Sequence, residues 1–176
     1  VNAEPASAIE EAALVARARQ GDGDAFAALY RLHGRAIYAL ALRISGDPAT
    51  AEDIVQDTFL KALQSLGGFR GDAPLRAWLK RMASNLAIDR LRAARPTLNL
   101  DDVQIDAAEP STERRLDALG LLARLSPQAR TVVWLHQMEG YSHPEIAALF
   151  GHTESWSKSI LSRALARLRG WLEESP

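Results

Sequence analysis

The chain of 176 residues carries 21 basic and 22 acidic side chains, for a formal charge of −1, and its 47% hydrophobic content suffices for two small cores. With no cysteine at all, disulfide frameworks, thiolate metal sites and cysteine nucleophiles are excluded. No apolar run approaches the roughly 20 residues that span a bilayer, and no basic-then-apolar leader opens the chain, so the expected location is cytoplasmic, without membrane insertion.

Near-neutral charge argues against a nucleic-acid partner until its layout is read. Residues 1–95 hold 13 basic and 11 acidic side chains, residues 96–112 hold none and 4, and residues 113–176 hold 8 and 7. The positive charge is concentrated: Arg76 to Arg95 contains six basic residues against Asp89 alone, and Lys158 to Arg169 contains four against none.

Helical periodicity dominates, and the spacing predicts an all-α protein. A first helix is expected from Ile9 to Gln20, ended by the turn Gly21-Asp22-Gly23. A second runs from Asp24 to Ile44, with Phe26, Leu29, Tyr30, Ile37, Leu40 and Ala41 as its inward stripe. Asp47-Pro48 supplies a cap and a first-turn proline for a third helix reaching Leu66, whose apolar face is Ala51, Ile54, Val55, Phe59, Ala62, Leu63 and Leu66. A glycine-rich loop, Gly67 to Ala73, precedes a fourth helix from Pro74 to Arg92, with Leu75, Trp78, Leu79, Met82, Leu86 and Leu91 facing in.

Between Pro96 and Pro110 periodicity fails and Asp101, Asp102, Asp106 and Glu109 accumulate, the signature of an acidic flexible linker. The expected division is therefore residues 1–95, linker 96–112, and 113–176. Ser111 or Thr112 should cap a helix reaching Arg124, and Ser126-Pro127 another reaching Met138. Ser142 and Glu145 stand at capping-box spacing before a short helix, His143 to Phe150. Gly151 supplies a turn, and a last helix follows from Glu154 to Leu172 with Leu161, Leu165, Leu168 and Leu172 inside.

A short helix, a glycine turn and a longer basic helix make a helix-turn-helix, whose second helix enters the DNA major groove. Its stripe leaves Lys158, Ser162, Arg163, Arg167 and Arg169 towards solvent; Lys158 near the helix start is there against the macrodipole, so a plain solvated face accounts for it poorly. On the third helix Glu52, Asp53, Gln56 and Asp57 share one exposed side. Dipole placement accounts for part of that patch, and an acid/base enzyme is discounted because the carboxylates lie on an open helix face with no sign of the pocket that would tune a pKa for catalysis. Around the loop, Phe69, Trp78 and Asn85 adjoin the basic fourth helix, a mixture of apolar walls, amide and cations that suits single-stranded bases. The position of Trp78 in the stripe favours core, whereas a mid-helix amide at Asn85 suits base-edge contact. The four histidines have no ligand spacing, so surface or capping roles are expected, with no metal and no cofactor.

These motifs, in order and spacing, resemble the extracytoplasmic-function sigma factors over most of the chain. Ala25-Phe26 through Tyr30 and Ala51 to Phe59 are similar to the first conserved stretches of the promoter-melting domain. The resemblance implies that Glu52, Asp53, Gln56 and Asp57 hold the clamp-helix coiled coil of the largest subunit of RNA polymerase. It likewise implies that Phe69, Arg70, Gly71, Asp72, Arg76, Lys80, Arg81 and Asn85 read the minus-ten element, the loop capturing a flipped-out base of the melted non-template strand. Leu125-Ser126-Pro127, Gly140-Tyr141-Ser142 and Lys158 to Ala164 are similar to the domain that reads duplex minus-thirty-five DNA, which implies Ser142, Lys158, Ser159, Ser162, Arg163 and Arg167 as contacts. The polymerase core, including its beta flap, promoter DNA and an anti-sigma factor are the implied partners.

The recognition helix departs from the family pattern: Ser155-Trp156-Ser157 replaces Gly-Thr-Val, and Ile160 replaces a basic residue. Ile160 is thereby expected to face the groove without a polar contact, and Trp156 to pack inward. Two other functions stay open: a helix-turn-helix regulator acting without polymerase, and a polymerase or anti-sigma interaction module whose DNA reading is weakened.

Overall fold

Apolar residues at three- and four-residue spacing, broken by glycine turns and capped starts, produce helices throughout. The computed structural model describes residues 5–94 and 118–173. Among them are eight α-helices, one 3-10 turn and no strand: α1 (Pro5–Arg19), α2 (Gly23–Ser45), α3 (Pro48–Ser65), the 3-10 turn Leu66–Gly68, α4 (Leu75–Ala94), α5 (Ala118–Ala123), α6 (Pro127–Gln137), α7 (His143–Phe150) and α8 (Glu154–Glu173). The expected linker 96–112, and the cap at Ser111 or Thr112, lie outside the described residues. Contacts divide the chain into two compact units, Val1–Leu42 with Asp47–Leu86, and Arg43–Gly46 with Ala87–Pro176.

In the first unit the α3 start is built as its chemistry requires. The Asp47 carboxylate accepts from the Thr50 backbone N–H at 2.7 Å and the Thr50 hydroxyl at 2.6 Å, and Pro48 takes the first helical position. Leu29, Ile37 and Leu40 of α2 are buried, as are Ile54, Val55 and Phe59 of α3 and Leu75, Leu79 and Ala83 of α4. Thr58 is buried too, and its hydroxyl is satisfied by donating to the Ile54 carbonyl at 2.6 Å.

Three expected core faces are corrected. Tyr30 is 44% exposed, because its ring lies against Phe59 at 4.6 Å from the rim of the core; Leu63 is also exposed. On α4 the buried row is Leu75, Leu79, Ala83 and Ala87 with Ser84 and Ile88, while Trp78, Met82, Leu86 and Leu91 are half-buried. Two alanines in a four-residue row allow close helix approach, and the larger side chains flank that seam. His33 is buried, with Nε2 2.9 Å from a Glu11 carboxylate oxygen, and so is neither a surface nor a capping histidine.

In the second unit Ser126 caps α6 through the Ala129 N–H at 3.3 Å, and Gly151 ends α7 at φ 70°, a left-handed conformation that suits glycine. The core combines Leu125, Val132 and Leu135 with Ile146, Phe150, Trp156, Ile160 and Ala164. Relative to the expected stripe, the buried side of α8 is rotated towards its start: Leu161 is buried, Leu165 and Leu168 are half-buried, and Leu172 is 60% exposed. Ile160 is 4% exposed and is a core residue, which corrects its expected groove-facing position.

Candidate nucleic-acid interface

Burying Ala51, Ile54, Val55 and Phe59 turns the opposite side of α3 outward. Glu52, Asp53 and Gln56 are exposed there and Asp57 is half-buried. Glu52 and Gln56, together with Val55, form one wall of a groove of about 460 Å³; Tyr30, Arg31, Gly34, Arg35 and Tyr38 of α2 form the other. Asp53 and Asp57 are outside that lining. The α2 wall was missed in the sequence, although Arg31, Arg35 and Tyr38 recur at helical spacing on the side away from Ile37. A groove with carboxylate and amide on one wall and two guanidinium groups and two phenols on the other fits a charged helical partner better than a small substrate.

After the 3-10 turn, the Phe69 N–H donates to the Leu66 carbonyl at 3.1 Å and the Phe69 ring lies 5.0 Å from that of Trp78. Trp78 thus walls the loop as well as flanking the core, which corrects its assignment to plain core. Gly71 has φ 78°, and Arg70, Asp72, Arg76 and Arg81 are exposed while Lys80 is half-buried. Asn85 is exposed and lines a pocket of about 300 Å³ with Lys61, Gln64, Ser65 and Met82. The end of α3 thus contributes to this site, which the sequence reading missed; the signal was the alternation of polar Lys61, Gln64 and Ser65 with buried Ala62 and Leu66. An amide, an ammonium and a thioether in one pocket offer donors, an acceptor and an apolar wall, as a nucleobase requires.

In the second unit, α7, Gly151 and α8 form the expected helix-turn-helix. Lys158, Ser159, Ser162, Arg163 and Arg167 are all exposed along α8, with Arg169 beyond them. Lys158 Nζ is 2.7 Å from a Glu154 carboxylate oxygen, and Arg163 Nε donates to the Ser159 carbonyl at 3.3 Å. That pairing with Lys158 holds the Glu154 carboxyl below its ordinary range. Ser142 is exposed but engaged: its backbone N–H and its hydroxyl donate to Glu145 Oε2 at 2.9 and 2.7 Å.

Behind this face, Trp156 packs inward as expected, 5.1 Å from Phe150 and 4.3 Å from His152. His136 Nδ1 donates to the Tyr141 carbonyl at 2.8 Å, and its ring stacks on His143 at 4.4 Å. His143 Nδ1 lies 3.0 Å from the Ser157 hydroxyl. Desolvation, then His136 and Lys158, lower the His143 pKa, which favours the neutral ring. Among the described residues no group of three or more metal-ligating side chains assembles, and no helix is long and apolar enough to cross a membrane.

Comparison with known proteins shows the family of the chain. Family models match as Sigma-70 region 2 over residues 29–97 and as Sigma-70, region 4 over residues 115–168. The ECF RNA polymerase sigma factor SigM of Mycobacterium tuberculosis is 38% identical over 168 residues, covering 92% of this chain and 86% of SigM. Among solved structures, CnrH in complex with the cytosolic domain of CnrY matches with TM-score 0.57 and 28% identity, over 95% of this chain and 99% of CnrH. The sigma factor RpoE in complex with the anti-sigma factor NepR from Bartonella quintana matches with TM-score 0.56 and 28% identity, over 86% of this chain and 98% of RpoE. The chain belongs to the ECF sigma factors of RNA polymerase.

Proposed function

We propose that this chain binds core RNA polymerase and directs promoter-specific transcription initiation through three separate surfaces, acting as a non-enzymatic initiation factor. The outward face of α3, with Glu52, Asp53, Gln56 and Asp57, docks the clamp helices of the largest subunit. Residues 1–95 then form the unit that opens the minus-ten element: Phe69, Arg70, Gly71 and Asp72 of the loop and Arg76, Lys80 and Arg81 of α4 hold the melted non-template strand, while Asn85 hydrogen-bonds a base edge. Residues 113–176 form the upstream reader, with Lys158, Ser159, Ser162, Arg163 and Arg167 in the duplex major groove and Ser142 at its edge. The acidic stretch 96–112 joins the two on the polymerase surface, where the beta flap supports the second unit. An anti-sigma protein is a fitting partner, since CnrH and RpoE were each solved with a second protein, NepR being named an anti-sigma factor.

The observation that carries this reading is the exposed row from Lys158 to Arg167 on the second helix of a helix-turn-helix, in a chain whose α3 turns a carboxylate face outward. Cations on such a helix meet phosphates and guanine edges. Burial of Trp156 and Ile160 removes the reason to regard that helix as having lost its DNA face.

Run-off transcription with purified core enzyme tests the assignment. Wild type should start at a natural promoter, Asp53→Ala should lose activity by losing core, and Lys158→Ala should keep core binding but make fewer promoter-directed starts. A regulator acting alone would instead bind the duplex tightly without polymerase.

A further inference from the structure

We propose that Arg19 is a positioning residue for the minus-ten loop, so that α1, which precedes the matched residues 29–97, helps to set promoter discrimination. This rests on the reading of the loop given above. The Arg19 guanidinium donates through Nη2 to the Gly67 carbonyl at 3.0 Å, across 48 residues of sequence. Gly67 lies in the 3-10 turn Leu66–Gly68, closed by the Phe69 N–H on the Leu66 carbonyl, and a side chain added at Gly67 or Gly68 would meet nothing within 4 Å. Two adjacent glycines with no side chain to pack have more conformations open to them than other residues, so each hydrogen bond on this turn counts in holding it.

The other end of the contact is well founded. Ala18 is buried, which sets the rotation of α1. Arg17 Nε donates to Asp22 Oδ2 at 2.8 Å, while Asp22 Oδ1 accepts the Ala25 N–H at 3.0 Å, so the end of α1 is tied to the start of α2. Arg19 therefore extends from a fixed root. Holding the Gly67 carbonyl restricts the loop, before DNA arrives, to the geometry that fits the favoured base, so a base that needs another loop geometry cannot recover its contacts by rearranging the loop.

The rival role for an exposed arginine is a phosphate contact, which would strengthen all DNA binding alike. The full chain with core polymerase separates the two, using a promoter selected by the wild-type holoenzyme from a randomised minus-ten library and a copy with the favoured minus-ten base replaced. The readout is the ratio of run-off product from the two templates, at several salt concentrations, for Arg19→Ala, Arg19→Lys and Asn85→Ala. Arg19→Ala should lower the ratio roughly fivefold to tenfold, the scale of one solvent-exposed hydrogen bond, with Arg19→Lys recovering part of it and thermal unfolding unchanged. If Asn85→Ala lowers the ratio and Arg19→Ala does not, the positioning role is overturned while the loop reading stands. Equal weakening on both templates with a shallower salt dependence makes Arg19 a phosphate contact and also overturns it. If neither variant changes the ratio, both the loop reading and the role of Arg19 fall.

Discussion

Trp156 stacks on His152, ring centroids 4.3 Å apart and planes inclined by 21°, and meets Phe150 at 5.1 Å, so the buried aromatic residue of α8 clamps the turn that precedes it. It is 7% exposed. Trp156→Ala should therefore destabilise the second unit by about 3–5 kcal/mol, the range for truncating a buried large aromatic. Binding to a minus-thirty-five duplex should fall with it, although no DNA contact is removed. Urea unfolding followed beside duplex titration checks this; unchanged stability with reduced binding would instead place Trp156 against DNA.

Acid should weaken the first unit in two stages. His33 has its pKa lowered, chiefly by burial and also by Arg76, against the opposing pull of Glu11. A histidine kept neutral in the fold takes up its proton more readily when unfolded, so stability is full above the ordinary histidine value and declines as pH falls below it. The Asp47 carboxyl is lowered by its bonds to Thr50, and that of Asp22 by the Ala25 N–H and then Arg17. Their contribution is present above the ordinary aspartate value and is lost as pH falls through the depressed one. Thermal melts across pH should show the upper step vanish in His33→Gln and the lower step shrink in Asp47→Asn, which keeps a capping oxygen.

Local chemistry made much of this legible from residues alone. Asp47-Pro48, Ser126-Pro127 and the Ser142 and Glu145 pair fix helix starts through neighbours three residues away, and each forms as its spacing predicts. The exposed side of α3 and the basic row of α8 followed from periodicity for the same reason. What failed was the rotation of a helix about its own axis: Ile160 and Leu161 adjoin in sequence, and which of them leads the buried row depends on what faces them. Tyr30, Leu63 and Leu172 are apolar in type yet stand at the rims of their cores, a distinction set by the edge of the neighbouring helix. The partnership of Lys61, Gln64 and Asn85 crosses between α3 and α4 and has no signature within either segment.

The capping box offers a cleaner measure of how α7 is held. Glu145→Ala removes the acceptor of both the Ser142 N–H and the Ser142 hydroxyl, and should cost about 1 kcal/mol, with Glu145→Gln close to wild type. The same change leaves the Ser142 hydroxyl able to turn towards a phosphate. Chemical denaturation of the three proteins decides the first point, and an Ala variant as stable as wild type would show that the pair is not what fixes the start of α7.

Lys158 should bind DNA less well than its position allows, because Glu154 one turn earlier holds its ammonium at 2.7 Å and presents a carboxylate to the same phosphates. Glu154→Gln removes both effects. Duplex affinity should rise, and the slope of log affinity against log salt should steepen by a fraction of one as Lys158 engages a phosphate more fully. Lys158→Ala should do the reverse, lowering affinity and flattening the slope by the rest of the single contact that one ammonium can supply. The two changes are coupled through a single ion pair, so most of the gain from Glu154→Gln should disappear in a Lys158→Ala background, where only the weaker repulsion between carboxylate and DNA remains to be relieved. A gain of undiminished size in that background would mean that Glu154 acts on DNA directly, and Lys158 would then lose its place as the partner through which the carboxylate tunes binding.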